Sequence, residues 1–274
     1  AESIKNVVRV LKHEGFQNTL IVISAMGKMT NAFEEAIDAY YNSSDQLAEK
    51  LSFIEDFHTS IMHDLFDKED EIHNDIEILL GELRWFLERN TSKRYNYVYD
   101  QIICFGELLS TKVVSAYLSK IGLQNNWFDV RNFIKTDSNY RDAKVDWEST
   151  QEIISNTLDA SKLNITQGFI AANDTENTTT LGREGSDYTA GIFAYCLNAD
   201  SVTIWKDVPG VLNADPRVFA ETTLLEHISY EEAIEMAFYG ASVIHPKTLQ
   251  PLERKEIPLF VRSFVNRKQQ GTRV

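Results

Sequence analysis

Residues 19–31 read TLIVISAMGKMTN, and this stretch decides the fold class. Its first five residues form a continuous apolar run, which is typical of a strand buried on both faces. Small and polar residues follow at once, so the chain is expected to turn there. Before the strand, residues 3–14 place apolar side chains at helical spacing, and Gly15 ends that pattern. A helix, a buried strand and a polar turn in succession favour an α/β fold.

The rest of the chain continues this alternation. Residues 30–90 are helical in pattern and rich in acids, which predicts a helical insertion of two or three helices. A long helix is predicted for residues 96–121. Further strands are predicted near 124–130, 163–170, 178–181, 201–205 and 258–264, and further helices near 148–158, 186–198, 229–239 and 247–255. We therefore expect a three-layer αβα sandwich with a mostly parallel central sheet. Residues 266–274 lose periodicity and are expected to be irregular.

Composition excludes several classes of function. The chain has 274 residues and a formal net charge of −14, which disfavours non-specific binding to nucleic acid or to anionic membranes. No signal peptide and no apolar run of about 18 residues is evident, so a cytoplasmic protein without a membrane partner is expected. Cys104 and Cys196 are expected to be buried thiols in a reducing compartment. His58, His63 and His73 do not share one helical face, and a solvated helix surface is favoured over a metal site.

Two loops that follow predicted strands carry candidate site residues, because ligands of open α/β sheets bind at the carboxyl ends of the strands. In the first, Ser24 and Thr30 offer hydroxyl donors, although a plain tight turn explains that loop almost as well. The second, residues 181–190, reads LGREGSDYTA. Ser186 is a candidate N-cap, and Arg183 beside a helix N-terminus makes an anion site. Asp187 adds a carboxylate for a metal or a cation. The alternative is a capped helix with a surface arginine.

Two later loops complete the candidate site. Residues 205–217 read WKDVPGVLNADPR and offer Lys206 and Arg217 to a polyphosphate. In residues 240–246, a helix ends on Gly240 and another begins at Pro246. His245, between them, is either a base or, more simply, a structural residue at the start of the helix.

Taken together, these loops resemble the aspartate kinases of the amino acid kinase family. The matching phrases are ISAMGKMTNA (23–32), FGELLST (105–111), TQGFIA (166–171), TTTLGREGSDYTA (178–190), WKDVPGVLNADPR (205–217) and ISYEEAIEMAFYGASVIHP (228–246). They follow the family order over nearly the whole chain. The resemblance implies a carbamate kinase-like catalytic domain over residues 1–274. Residues 1–180 would mainly bind aspartate, with the helical insertion at about 30–120, and residues 181–274 would mainly bind ATP.

The resemblance also implies a reaction and its residues. Aspartate kinases transfer the γ-phosphoryl group of ATP to the β-carboxylate of L-aspartate, the first step towards lysine, threonine, methionine and isoleucine. The catalytic group would comprise Glu107, Arg183 and Asp187. The aspartate site maps onto Ser24, Thr30, Glu107, Phe169, Arg183, Ser186 and Asp187, and the ATP site onto Lys206, Asp207, Leu212, Arg217, Ser242 and Val243. Mg²⁺ would bridge phosphate oxygens, with no metal ligand assigned to the protein.

The sequence departs from the family pattern at several points. The family opens on a strand and a glycine-rich loop, KFGGTS, about a dozen residues before the position of Ala1, and the given sequence lacks this segment and its lysine, the principal cation over the phosphates. Glu184 stands where a glycine is common, Ser242 replaces a frequent lysine, Lys206 a frequent threonine and Leu212 a frequent tyrosine. One hypothesis is that Lys206 supplies the charge that Ser242 does not.

Three alternatives follow. The chain is an active kinase core, or the kinase part of a bifunctional aspartokinase/homoserine dehydrogenase. It is a silent core that still binds nucleotide or aspartate. Or it is a sibling kinase that acts on acetylglutamate, glutamate or a nucleoside monophosphate, which the phrases FGELLST and TTTLGREGSD argue against. The family's regulatory domains would lie beyond Val274, so no feedback inhibition is expected, and the parent enzyme is expected to be a homodimer.

Overall fold

The computed structural model describes residues 1–42, 44–219, 221–240 and 243–274. Its helices are α1 (Glu2–Glu14), α2 (Met29–Asn42), α3 (Ser44–Leu65), α4 (Ile72–Arg89), α5 (Tyr95–Lys120), α6 (Trp147–Thr157), α7 (Gly185–Leu197), α8 (Tyr230–Phe238) and α9 (Pro246–Arg254). Its strands are β1 (Leu20–Ile23), β2 (Asn126–Trp127), β3 (Lys135–Thr136), β4 (Asn164–Gln167), β5 (Ile170–Asn173), β6 (Thr178–Thr180), β7 (Val202–Lys206), β8 (Leu259–Ser263) and β9 (Thr272–Arg273).

The strands form three three-stranded segments, in the orders β1-β4-β2, β3-β5-β6 and β7-β8-β9. Strand β4 is parallel to both of its neighbours, β3 is parallel to β5, and β7 is parallel to β8. All four residues of β4 are buried. Because alternate residues of a strand point to opposite faces, this burial shows that both faces of the sheet are covered there. The predicted α/β sandwich with a mostly parallel sheet is thereby confirmed.

The observed strands differ in three places from those predicted from the sequence. The single strand predicted over residues 163–170 is wrong, because Phe169 has a left-handed backbone (φ 70°) and divides β4 from β5. Strand β3, paired with β5, was not predicted. Residues 266–274 are not wholly irregular, since β9 pairs antiparallel with β8. The backbone N–H of Val274 also donates to the carbonyl of Leu259 at 2.7 Å.

The helical insertion consists of α2, α3 and α4, as many helices as the sequence allowed. Helix α2 packs against α3 and α5, and α4 packs against α5. The expectation of a solvated surface is wrong for His58, which is completely buried in the packed interior of this insertion. Its Nδ1 lies 2.7 Å from the carbonyl oxygen of Ile54, and burial lowers the pKa of the ring. In the described part of the chain, no three histidine, cysteine or acidic side chains come together as a metal site.

Helix α5 is the central helix of the molecule and packs against β1, β2, β4, β5 and β6. Contrary to the sequence expectation, it is long and apolar enough to cross a bilayer. However, 72% of its most apolar 18-residue window is buried inside the protein, as in the core helix of a folded domain. The helix matters for function because its middle carries Glu107 at a buried position.

Two hydrophobic clusters meet at α7. The larger one includes α5, the insertion and β4, and the smaller one surrounds β7, β8 and α9. Helix α7 contributes Ile192, Phe193 and Cys196 to the larger cluster and Ala194 to the smaller. The N-terminus of α7 is consequently fixed from two directions, next to the carboxyl ends of the strands.

Candidate active site

The loop after β1 is anchored to α5. Ser110 Oγ donates to the carbonyl oxygen of Ser24 at 2.8 Å, and the backbone N–H of Ala25 points at Glu107 Oε1 at 3.4 Å. The two segments also pack tightly at Gly106, where a Cβ would lie 3.2 Å from the Cβ of Ala25. The structure thus places the predicted residues Ser24 and Glu107 in one corner of the site.

Glu107 is a buried acid without a full set of partners. The residue is 3% exposed, and its Oε2 has no hydrogen-bond partner among the described residues. Burial raises the pKa of Glu107 to about 8, against which the Ala25 N–H acts weakly. A buried carboxyl group with a vacant oxygen is costly unless a cation or a donor completes it. An ammonium group on a ligand would supply what this pocket lacks.

The loop after β4 interlocks with the start of α7. A Cβ on Gly168 would lie 2.5 Å from Ser186 Oγ, and a Cβ on Gly185 would lie 2.6 Å from the ring of Phe169. The backbone N–H of Phe169 donates to Thr189 Oγ1 at 3.0 Å. Since real Cβ contacts are never this short, both glycines are required for the two segments to meet. The predicted residues Phe169 and Ser186 are thereby brought together.

Helix α7 does not begin as the sequence suggested. Ser186 is not its N-cap, because the helix already includes Gly185, and Glu184 occupies the cap position without a side-chain cap hydrogen bond. The first turn therefore keeps free backbone N–H groups, together with the partial positive charge of a helix N-terminus. An anion bound there would find those donors unused.

Arg183 lies on an exposed loop whose two sides are fixed. Upstream, buried Asp100 on α5 accepts hydrogen bonds from the N–H of Thr180 at 2.9 Å and from its hydroxyl at 2.8 Å. Beside the loop, Lys247 Nζ pairs with Asp142. Downstream, α7 begins. The guanidinium is thus presented to solvent from a constrained backbone, as a group that clamps a carboxylate must be.

Lys206 ends β7 and reaches the first turn of α7. Its Nζ lies 2.9 Å from Asp187 Oδ2 and 3.8 Å from Glu184 Oε2. The pKa of Glu184 is raised, mainly by burial and in part by the nearby carboxylate of Asp187, while the ammonium group of Lys206 acts in the opposite direction. Lys206 and Asp187, which the sequence assigned to neighbouring subsites, are therefore direct partners.

The remaining nucleotide-side residues are more dispersed. Asp207 is exposed, and Leu212 forms an isolated antiparallel bridge with Leu224. Arg217 is exposed and donates to Asp215, with Nη2 and Oδ2 2.8 Å apart. Val243 helps to line a small apolar pocket between α8 and α9. Ser242 lies outside the described residues.

Two further predictions concern residues at helix starts. Thr30 is in the first turn of α2, which packs on α5 close to Gly106. His245 caps α9, with its Nδ1 accepting from the N–H of Lys247 at 3.2 Å. The structural reading of His245 is thus confirmed. Sequence reasoning missed Asp100 and the pairing of Asp142 with Lys247, because no local signal connects residues so distant in the chain.

A divalent cation fits this site only as part of a complex with phosphate. Asp187 and Glu184 offer carboxylate oxygens, which Mg²⁺ prefers, but Lys206 already lies between them. Mg²⁺ commonly binds one or two carboxylates and completes its shell with substrate phosphates and water. The residues present are compatible with that arrangement.

The comparisons with known proteins agree with this geometry. Residues 1–263 match the model of the amino acid kinase family. The lysine-sensitive aspartokinase 3 of Escherichia coli is 36% identical over 262 residues, with 93% of this chain and 57% of the relative covered. The chloroplastic bifunctional aspartokinase/homoserine dehydrogenase 2 of Arabidopsis thaliana is 34% identical over 284 residues, with 99% of this chain and 30% of the relative covered.

A solved structure gives the same result. The crystal structure of E. coli aspartokinase III in complex with aspartate and ADP superposes with a TM-score of 0.91 at 33% identity, covering 99% of this chain and 60% of the other. The chain thus spans between about a third and three fifths of the length of these relatives. Because the family model matches residues 1–263, nearly the whole of this chain, the chain belongs to the amino acid kinase family.

Proposed function

We propose that this chain is the catalytic part of an aspartate kinase, which transfers the γ-phosphoryl group of ATP to the β-carboxylate of L-aspartate. The observation that carries the proposal is Glu107, a buried carboxyl group with a vacant oxygen beside the loop after β1. An amino acid substrate has an ammonium group to fill that vacancy. The similarity to aspartokinases of bacteria and plants supports the same conclusion.

On the acceptor side, residues 1–180 with the start of α7 would hold aspartate. Glu107 would receive the α-ammonium group, and Arg183 would hold a carboxylate through two parallel hydrogen bonds. Ser24, Thr30 and Ser186 would add hydroxyl donors, and Phe169 would close the apolar side. The interlock of Gly168 with Ser186 fixes these groups before the substrate arrives. Such positioning is the main contribution a protein makes to phosphoryl transfer.

On the donor side, residues 181–274 would hold ATP. The free N–H groups of α7 and the ammonium group of Lys206 would face the phosphates, and Asp187 would orient the charged groups around them. Asp207, Leu212, Arg217, Ser242 and Val243 would complete the nucleotide site. When bound, Mg²⁺ would neutralise part of the phosphate charge. The β-carboxylate oxygen would attack the γ-phosphorus as the bond to ADP breaks, giving 4-phospho-L-aspartate.

The setting of the enzyme is also part of the proposal. Both cysteines are free and buried, which is compatible with a reducing compartment such as the cytoplasm, and burial makes the Cys104 thiol inert by raising its pKa to about 12. We further propose a homodimer and a place in amino-acid biosynthesis.

The test is an acyl phosphate trap. Incubation with Mg-ATP, L-aspartate and hydroxylamine should give aspartyl hydroxamate, whereas acetylglutamate and glutamate should give no hydroxamate, and nucleoside monophosphates should not be converted to their diphosphates. Binding of L-aspartate and of Mg-ATP is measured separately by calorimetry. A product with acetylglutamate but not with aspartate would refute the substrate assignment. Binding of both ligands without hydroxamate would favour the silent core.

A further inference from the structure

Glu184 has a backbone conformation that does not suit glutamate. Its φ of 53° lies in the left-handed region, which favours glycine and, less strongly, asparagine. The other end of α7 shows the ordinary solution, because its C-cap residue is Asn198 with a φ of 50°. A non-glycine residue held in this region costs about 1–3 kcal/mol, and such residues concentrate at functional sites.

Helix capping does not account for the glutamate. Glu184 occupies the N-cap position of α7, but its side chain makes no cap hydrogen bond. Serine, threonine, aspartate or asparagine would serve a cap better. The reason for the residue must therefore lie in what its carboxylate faces.

That carboxylate faces Lys206, and His245 at the start of α9 is also close enough to lower its pKa. Glu184 Oε2 lies 3.8 Å from Lys206 Nζ, and no described residue forms a hydrogen bond with this oxygen. Both side chains are largely shielded from solvent, with 22% and 21% exposed. The ammonium group also lies 2.9 Å from Asp187 Oδ2. Lys206 therefore bridges two carboxylates that rise from neighbouring positions at the start of α7.

The two carboxylates differ in what else they must do. On the proposed function, Asp187 also orients charges around the transferred phosphoryl group, so it does not serve Lys206 alone. With Asp187 as its sole anchor, the flexible four-carbon stem of Lys206 would then allow the ammonium group to leave the site. Glu184, three residues before Asp187 at the N-cap position, would retain the lysine.

We propose that Glu184 is a positioning residue for the nucleotide: it holds the Lys206 ammonium group at the N-terminus of α7, where that group meets the phosphates of ATP. The proposal rests on the proposed function. It explains why the strained backbone position carries an acid instead of glycine.

The test uses a substitution whose structural and functional effects differ in sign. Glu184→Gly removes the left-handed strain, so the melting temperature should stay equal or rise. The Kd for Mg-ATP should nevertheless increase about fivefold to tenfold, as expected when a half-buried carboxylate no longer holds the lysine. The Kd for L-aspartate should change by less than about twofold, because the ion pair between Glu184 and Lys206 lies on the donor side and is partly screened by solvent.

Three further variants make the result specific. Glu176 has the same left-handed conformation (φ 61°) in the turn between β5 and β6, so Glu176→Gly is the matched control and should leave the Kd for Mg-ATP unchanged. In a Lys206→Met background, Glu184→Gly should have no further effect on that Kd. Glu184→Gln, which keeps the shape of the side chain without its charge, should resemble Glu184→Gly in binding.

The outcomes separate the two proposals. An unchanged or tighter Mg-ATP complex in Glu184→Gly overturns the positioning role, as does an equal weakening in the Lys206→Met background. If the unaltered chain binds Mg-ATP but makes no aspartyl hydroxamate, the proposed function fails while the role of Glu184 is still decided by the Kd values.

Discussion

The acceptor side and the nucleotide side of the candidate site are built differently. On the acceptor side, Glu107 is buried and Gly168 is in van der Waals contact with Ser186. On the nucleotide side, Arg217 is exposed, and none of the residues of α8 is buried. Large apolar side chains next to Arg217 and at the end of α8 are also exposed, namely Val218, Phe219, Phe238 and Tyr239. The acceptor side is fixed by packing, whereas the nucleotide side is more exposed to solvent.

The cations of the two sides show the same difference. On the nucleotide side, Lys206 and Arg217 are each paired with an acid of their own chain. A nucleotide must exchange these ion pairs for phosphate contacts, which costs little for the exposed Arg217 pair, because exposed pairs contribute only about 0–1 kcal/mol, whereas the Lys206 pair is largely shielded from solvent. Changes that disturb packing should therefore have large effects on the acceptor side, and changes of exposed charge should have small effects on the nucleotide side.

Gly168→Ala should have the largest effect. The added methyl group would lie 2.5 Å from Ser186 Oγ and 2.6 Å from Ser186 Cα, so the start of α7 must move. Overpacking of this kind costs about 1–3 kcal/mol of the free energy of unfolding. A displacement of about 1 Å in the acceptor site is expected to lower kcat/KM about 100-fold. Urea unfolding and the hydroxamate assay measure the two effects.

The control is Gly81→Ala in the interior of α4. No atom lies within 4 Å of a Cβ at Gly81, so this variant should be about 1 kcal/mol more stable because alanine favours the helix. A Gly168→Ala variant with normal stability and activity would show that the acceptor side is not fixed by packing.

Glu107→Gln is expected to have the next largest effect. The pKa of Glu107 is raised from 4.5 to about 8, so its neutral form stabilises the folded chain below pH 4.5, and this contribution is lost as the pH rises through about 8. Between these values, the free energy of unfolding should fall by at most about 1.4 kcal/mol per pH unit from this group. Glutamine removes that dependence, and urea unfolding at pH 6 and pH 8 measures it.

The same substitution should weaken aspartate binding. Glutamine cannot carry the negative charge that pairs with the α-ammonium group, and the expected loss of affinity is about tenfold or more. In the unaltered chain, binding should release a proton from Glu107 near pH 7, which calorimetry in buffers of different ionisation enthalpy detects. Exposed Glu77 on α4 provides the control, Glu77→Gln. Equal aspartate affinity for the two variants would contradict the role of Glu107.

Asp100→Asn should have a smaller effect, at the edge of the acceptor side, on both the stability and the aspartate affinity of the chain. Asp100 Oδ2 accepts from the N–H groups of Thr180 and Arg141, and Oδ1 accepts from the Thr180 hydroxyl. An amide would keep its single oxygen for the two N–H donors and turn its NH₂ group to the Thr180 hydroxyl, which can accept, so the cost is the loss of a charged acceptor, about 1 kcal/mol. The loop that carries Arg183 follows Thr180, so aspartate affinity should fall as well. Asp174→Asn, at an exposed position in the turn between β5 and β6, should change neither quantity. Unaltered stability of Asp100→Asn would show that this acid does not hold the loop.

The sequence predicts the parts of the fold that depend on local patterns. The apolar run of β1 and the proline at the start of α9 are local signals, and both elements occur where they were expected. The sequence does not predict β9, because its two residues become a strand only by pairing with β8. It also places α7 one residue late, since the serine preference for a cap is overridden by the contact of Gly185 with Phe169.

The site shows the same limit. The motifs indicate which loops carry chemistry, and several of their residues do meet. The motifs do not show which of their residues pair, however. Lys206 contacts Asp187 and Glu184 only because β7 ends and α7 begins at the same edge of the sheet. The vacancy at Glu107 Oε2 is likewise a property of the packed interior and has no counterpart in the sequence.

Asp215→Ala should have the smallest effect, and its sign tests the nucleotide side. Asp215 and Arg217 form an exposed ion pair, so the melting temperature should not change. Removal of the carboxylate frees Arg217 for phosphate, and Mg-ATP binding should tighten by about twofold, as expected for a screened surface charge. Arg217→Ala should weaken it by a similar factor, and both effects should disappear at high salt because exposed charges are screened. If the two variants shift the Kd in the same direction, Arg217 does not face the nucleotide, and Lys206 is the remaining cation among the residues proposed for that side.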